Sequence, residues 1–155
     1  MNFQITGLKR AQFTDLIGLS DAELAGRNVR RVLADRHPGF PCRVSLVDAQ
    51  PGERLLLLNY EHLPLASPYR ASHAIYVREN ASDAQVPVNE IPPVLRTRLL
   101  SLRAFSEDGM LLDADVAEGA ALAPAIERML SGTAVAFLHL HNARPGCYAA
   151  RVDRA

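Results

Sequence analysis

The residues best suited to chemistry crowd into one stretch, Thr133 to Val152, TAVAFLHLHNARPGCYAARV. It holds two of the chain's five histidines, one of its two cysteines, and Arg151. His139 and His141 are two residues apart. On a strand, both imidazoles would lie on one side, about 7 Å apart along the chain. Two imidazoles so placed can ligate one metal ion, with a third histidine completing the set, though spacing alone does not say which one. The pair equally suits two half-buried rings on an ordinary sheet face beside Val135 and Phe137. Cys147 would be a nucleophile if a histidine lowered its pKa, and His141 is the near partner. Otherwise it is an inert, buried thiol.

A β-hairpin must position these groups. Arg144-Pro145-Gly146 is turn chemistry, because proline presets φ and glycine accepts a positive one. A two-residue Pro-Gly loop would set Leu140 opposite Arg151. A three-residue loop with Gly146 in the left-handed bulge position sets Leu138 and Leu140 opposite Val152 and Ala150. The second keeps apolar against apolar and is the expected register. It places His139, His141, Cys147, Ala149 and Arg151 on one face, with Asn142 and Tyr148 on the other near the turn.

The remaining chain supplies more strands and a few short helices. Asn2 to Leu8 reads as a strand, and Ala11 to Leu19 has helical spacing at Phe13, Leu16 and Ile17. Ser20 to Glu23 is a capping box opening a helix at Asp21 that should stop near Gly26 to Asn28. Val29 to Ala34, Cys42 to Val47, Arg54 to His62 and His73 to Glu79 are predicted strands, the third as the return arm of the second. Asn80 to Pro93 is the expected mobile loop, and Pro92-Pro93 can start a helical turn through Arg98. Leu99 to Val116 is a second hairpin. Its preferred register sets Leu102 opposite Ala114 and pairs Arg103 with Asp113 across the strands. Asp113 and Asp115 then form a solvated polar face rather than a catalytic carboxylate pair. Leu122 to Leu130 is an amphipathic helix, with Leu122, Ile126, Met129 and Leu130 as its apolar stripe. Without βαβαβ alternation, this order predicts an α+β fold. It would be one domain over residues 1–155, with a mainly antiparallel, possibly mixed sheet of six to eight strands and three or four short helices on one face.

Composition narrows the function classes. The 155 residues are 48% hydrophobic and 22% charged, with a formal net charge of zero, as expected for a folded chain with no nucleic-acid footprint. No apolar run is long enough to span a membrane. Two widely spaced cysteines, Cys42 and Cys147, suggest reduced thiols, and Met1 to Leu8 has no leader pattern, so a cytoplasmic location is expected. The dinucleotide, P-loop, serine-hydrolase, zincin and EF-hand patterns are missing, so no cofactor is implied by motif.

What remains is a set of polar groups at strand ends and loops. Arg70, with Tyr69 stacking beside it, would clamp an anionic group, or else lie over the sheet as a surface arginine. The first reading is therefore a domain binding a small anionic molecule through Arg43, Tyr69, Arg70, His73, His139, His141 and Arg151. The second is an enzyme, metal-dependent through His139 and His141 or thiol-dependent through Cys147. The third is an interaction protein pairing with a second copy at an exposed sheet edge.

Phe40-Pro41-Cys42-Arg43, Leu57-Leu58-Asn59-Tyr60, Ser67-Pro68-Tyr69, Arg98 to Asp113, and His139 through Arg151 together resemble the bacterial domain-of-unknown-function family numbered 1203. The resemblance covers nearly the whole chain. It implies one domain of this length, but no reaction and no catalytic residues.

Overall fold

The computed structural model describes residues 1–155. Eight strands form two antiparallel sheets. The larger runs β1 (Phe3–Thr6), β8 (Tyr148–Arg154), β7 (Phe137–Asn142), β5 (Leu99–Phe105), β6 (Leu111–Glu118). The smaller runs β2 (Arg30–Leu33), β3 (Arg54–Leu63), β4 (Ala71–Arg78). Three short helices accompany them: α1 (Asp21–Ala25), α2 (Pro93–Arg96) and α3 (Leu122–Leu130). None is long and apolar enough to cross a membrane. The architecture is α+β, with the strands divided between two sheets rather than joined in one.

The main core lies between α3 and the larger sheet. Leu122, Ala125, Ile126, Met129 and Leu130 pack on Leu100, Leu102 and Ala104 of β5, Leu138 and Leu140 of β7, and Ala150 and Val152 of β8. Each fully buried aliphatic side chain here contributes about 1.5–3 kcal/mol. Those strand residues alternate, so the other face carries Arg103 and Phe105, Phe137, His139 and His141, and Arg151. That face meets the smaller sheet. His62 of β3 stacks on Tyr148 of β8 at 5.2 Å and 10°, and Leu63 joins Phe105 and Phe137 in a small apolar cluster.

The β7–β8 hairpin keeps the expected outer register, Leu138 opposite Val152 and Leu140 opposite Ala150. Nearer the turn it departs from expectation. His141 pairs with Tyr148, so Ala149 is an extra residue on β8, and a four-residue connection from Ala143 to Gly146 closes the hairpin. The bulge carries Tyr148 onto the histidine face, away from the side shared with Asn142. Gly146 sits at φ 78° in this turn, a conformation that favours glycine.

Other expectations are corrected. β5 and β6 pair with Leu102 opposite Asp115 and Arg103 opposite Ala114, so the Arg103–Asp113 pair does not form. The register follows from α3: Arg128 reaches back to ion-pair with Asp115 on the helix-covered face. Ala11 to Leu19 forms only a 3-10 turn over Arg10–Phe13 followed by hydrogen-bonded turns through Gly18. Cys42 to Val47 is not a strand. It coils on itself through Leu46 N–H to Cys42 C=O and Cys42 N–H to Val47 C=O, with Leu46 at φ 52°, and β3 pairs instead with β2 and β4. The Asn80 to Pro93 loop is tied down along β1. Phe3 N–H donates to Asn89 Oδ1 at 2.9 Å, Asn89 N–H donates to Phe3 C=O at 2.9 Å, and Gln4 donates to Val86 C=O at 2.7 Å.

Candidate functional site

The chain between Phe40 and Ser45 does not extend, and that coil turns Arg43 inward. Arg43 is 2% exposed. Nε donates to Tyr148 C=O at 2.7 Å, Nη1 donates to Pro41 C=O, and Nη2 donates to Cys147 Sγ at 3.0 Å. No carboxylate pairs with it. Burial pulls the Arg43 pKa below the ordinary arginine value, and the sulfur of Cys147 opposes that shift. A buried cation held by two carbonyls and a thiol keeps a large desolvation cost that an opposite charge would offset.

Arg43 lines a cavity of about 640 Å³ between the turn of the β7–β8 hairpin, β4 and the start of β5. His73, Arg98, Asn142, Arg144 and Cys147 line it too, with Glu118 as its acidic residue. Arg98 is neutralised. It grips Asp48 through two bonds of 2.6 and 2.8 Å; burial alone would raise the Asp48 carboxyl, but Arg98 outweighs it and holds the pKa down. Arg144, exposed at the mouth, has no such partner. The lining is therefore net positive.

Asn142 supplies the second unbalanced group. It is 6% exposed, and its Nδ2 donates to Cys147 Sγ at 3.3 Å. Its Oδ1 is buried without a hydrogen-bond partner. Buried acceptors are nearly always satisfied, so this oxygen is an uncompensated polar group beside the cavity. Cys147, 9% exposed, thus receives N–H groups from Arg43 and Asn142. His141 is not its partner: the His141 Nδ1 bonds the Gly146 carbonyl at 2.9 Å.

The sequence-predicted residues separate into three places. Arg43 and His73 line the cavity, as does Cys147. His139 and His141 lie outside it, 2% and 1% exposed, together with His62 between the two sheets. Tyr69, Arg70 and Arg151 are elsewhere. Arg70 ion-pairs with Glu61 at 2.9 Å on the surface, and Tyr69 rests against Phe105 at 6.4 Å. Arg151 bonds Asp153 and covers the Phe137 ring at 4.0 Å. Sequence reasoning missed Arg98, Asn142 and Arg144 as cavity residues. Arg144 and Asn142 flank the hairpin turn, so their nearness to Cys147 was open to inspection. Arg98 was not, because it meets the cavity only through tertiary packing. Cys42 and Cys147 are both free and buried.

No curated protein and no solved structure matches this chain. A family model does match it, over residues 39–154, which takes in Arg43, the β3–β4 hairpin, both β-strand arms around Cys147 and all three buried histidines. The chain belongs to the family described as protein of unknown function (DUF1203).

Proposed function

We propose that this protein binds a small anionic molecule in the cavity beside Cys147. The observation that carries the reading is Arg43, a buried guanidinium with no carboxylate partner in the wall of that cavity. An incoming carboxylate, phosphate or sulfonate would supply the missing charge, and guanidinium groups recognise these planar or tetrahedral anions well. Arg144 at the mouth adds attraction from solvent. A volume of about 640 Å³ is that of a metabolite-sized site rather than of a bare inorganic ion. The bound molecule would lie within reach of the Cys147 sulfur, on which two N–H donors already converge. That convergence favours a second reading, in which Cys147 acts on the bound ligand as a nucleophile.

The test is a thermal-shift series with sodium phosphate, sulfate, citrate and phosphorylated metabolites, each against sodium chloride at matched ionic strength. A ligand present at about 100 times its Kd adds about 2.7 kcal/mol of stability. For a chain of this size that raises Tm by about 5–10 °C. The shift should shrink in Arg144→Ala. Equal shifts from chloride and from every anion would refute the site.

A further inference from the structure

Between the two sheets, away from the cavity, three imidazoles converge. One ring nitrogen from each of His62, His139 and His141 lies within 4.8 Å of the others. Two β-strands and a bulge build the cluster. His139 and His141 point from alternate positions of β7, and His62 enters near the irregularity between Glu61 and Leu63 at the end of β3. We infer that His62, His139 and His141 form a binding centre for one borderline-soft divalent metal ion, zinc in the first instance.

Geometry supports this in two ways. The Nδ1 atoms of His62 and His139 are 3.3 Å apart. Tetrahedral zinc, with metal–nitrogen bonds of about 2.0–2.1 Å, holds its ligand nitrogens about 3.3 Å from one another. The His141 ring is also set as a ligand. A carbonyl only accepts, so the 2.9 Å contact to Gly146 C=O places the proton on Nδ1. Nε2 then carries a free lone pair, and it is buried without a partner. Donating the far N–H to a backbone carbonyl is how metal-bound histidines are commonly oriented.

The electrostatics fit neutral ligands. Burial lowers the pKa of all three rings, His62 to about 4, His139 to about 2 and His141 to about 3. All are therefore deprotonated at neutral pH, as ligation requires. The charged and titratable groups facing them are Arg103 on β5, Arg151 and the Tyr148 phenol on β8, and His73 on β4. No carboxylate stands among the donors, which suits zinc, cobalt, nickel or copper and not magnesium or calcium. Arg151 is ion-paired with Asp153, so Arg103 is the cation that favours an anionic ligand in any fourth position.

The experiment uses the full untagged chain. Zinc is titrated into chelator-treated protein against a chromophoric competitor, and cobalt(II) is added separately to read coordination from its absorption. The expected result is one ion per chain, an intense tetrahedral cobalt spectrum, and affinity lowered by about 100-fold or more in His62→Gln. Arg144→Ala should bind metal as the natural chain does, which separates this centre from the cavity. The cobalt spectrum needs no variant, so it decides the matter even if His62→Gln fails to fold. Absence of saturable binding, an octahedral cobalt spectrum, or unchanged affinity in folded His62→Gln would overturn the inference.

Discussion

Acidification should unfold the metal-free protein well above the pH at which carboxylates titrate. His62, His139 and His141 are 8%, 2% and 1% exposed, and burial holds their pKa values at about 4, 2 and 3. In the unfolded chain each takes its proton near pH ~6.5. A lowered folded-state pKa means that the unfolded chain binds more protons below that point, so stability is complete above pH ~6.5 and falls as pH drops. Each histidine contributes a slope of about 1.4 kcal/mol per pH unit. Three acting together approach about 4 kcal/mol per unit, which integrates to about 5 kcal/mol lost between pH ~6.5 and pH ~5. That approaches the whole stability of a typical domain, about 5–15 kcal/mol. Asp48 and Glu53, whose carboxyls are held below their usual pKa, lose their contributions only under pH ~4.5, outside this window. The assay is urea unfolding with chelator present, from pH ~7 to pH ~5. His139→Leu should lower the slope by about one group's share. A natural chain whose unfolding free energy changes by less than about 1 kcal/mol over that range would show that the rings are not buried as neutral imidazoles.

Three further outcomes follow from the packing. Ile126→Ala empties the centre of the α3 stripe, where the side chain is fully buried, and should cost about 2–5 kcal/mol in chemical denaturation. Gly119→Ala cannot be accommodated in place: a Cβ would stand 2.1 Å from the Leu95 carbonyl oxygen. The connection before α3 must shift, and a lower Tm than in a surface control such as Gln50→Ala is expected. Arg43→Met leaves the Tyr148 and Pro41 carbonyls without their donor. It should abolish the anion-dependent Tm shift, whereas an undiminished shift would move the ligand elsewhere.

Much of the fold was legible because local pattern and tertiary demand agreed. The α3 stripe and the apolar pairing of Leu138 and Leu140 with Val152 and Ala150 both follow from the need to bury one face. The pattern failed where a distant residue decided. Nothing near Leu99 to Val116 announces that Arg128, on a later helix, will claim Asp115 and shift the register. The alternation of Cys42 to Val47 is genuine, but the segment makes only one bridge to β4, Cys42 with Tyr76, before the chain turns through Leu46 at φ 52°. The site followed the same rule. His139 and His141 were visible as a strand pair, while His62 belongs to another sheet and reaches them only through the sheet-to-sheet contact that stacks it on Tyr148. Tyr148 itself was assigned to the opposite face because an added residue in β8 leaves no mark in the sequence.

An anion-attracting cavity at Cys147 can be reported by the thiol itself. Rates of alkylation at Cys147 by iodoacetate and by iodoacetamide, resolved by peptide mapping, compare an anionic and a neutral reagent of nearly equal size. Cys42, fully buried, serves as the unreactive internal reference, and glutathione as the free-thiol standard. The expected iodoacetate-to-iodoacetamide ratio is about tenfold above that of glutathione, equivalent to about 1.4 kcal/mol of attraction, falling in Arg144→Ala and suppressed by a bound anion. A ratio at or below that of glutathione would contradict it.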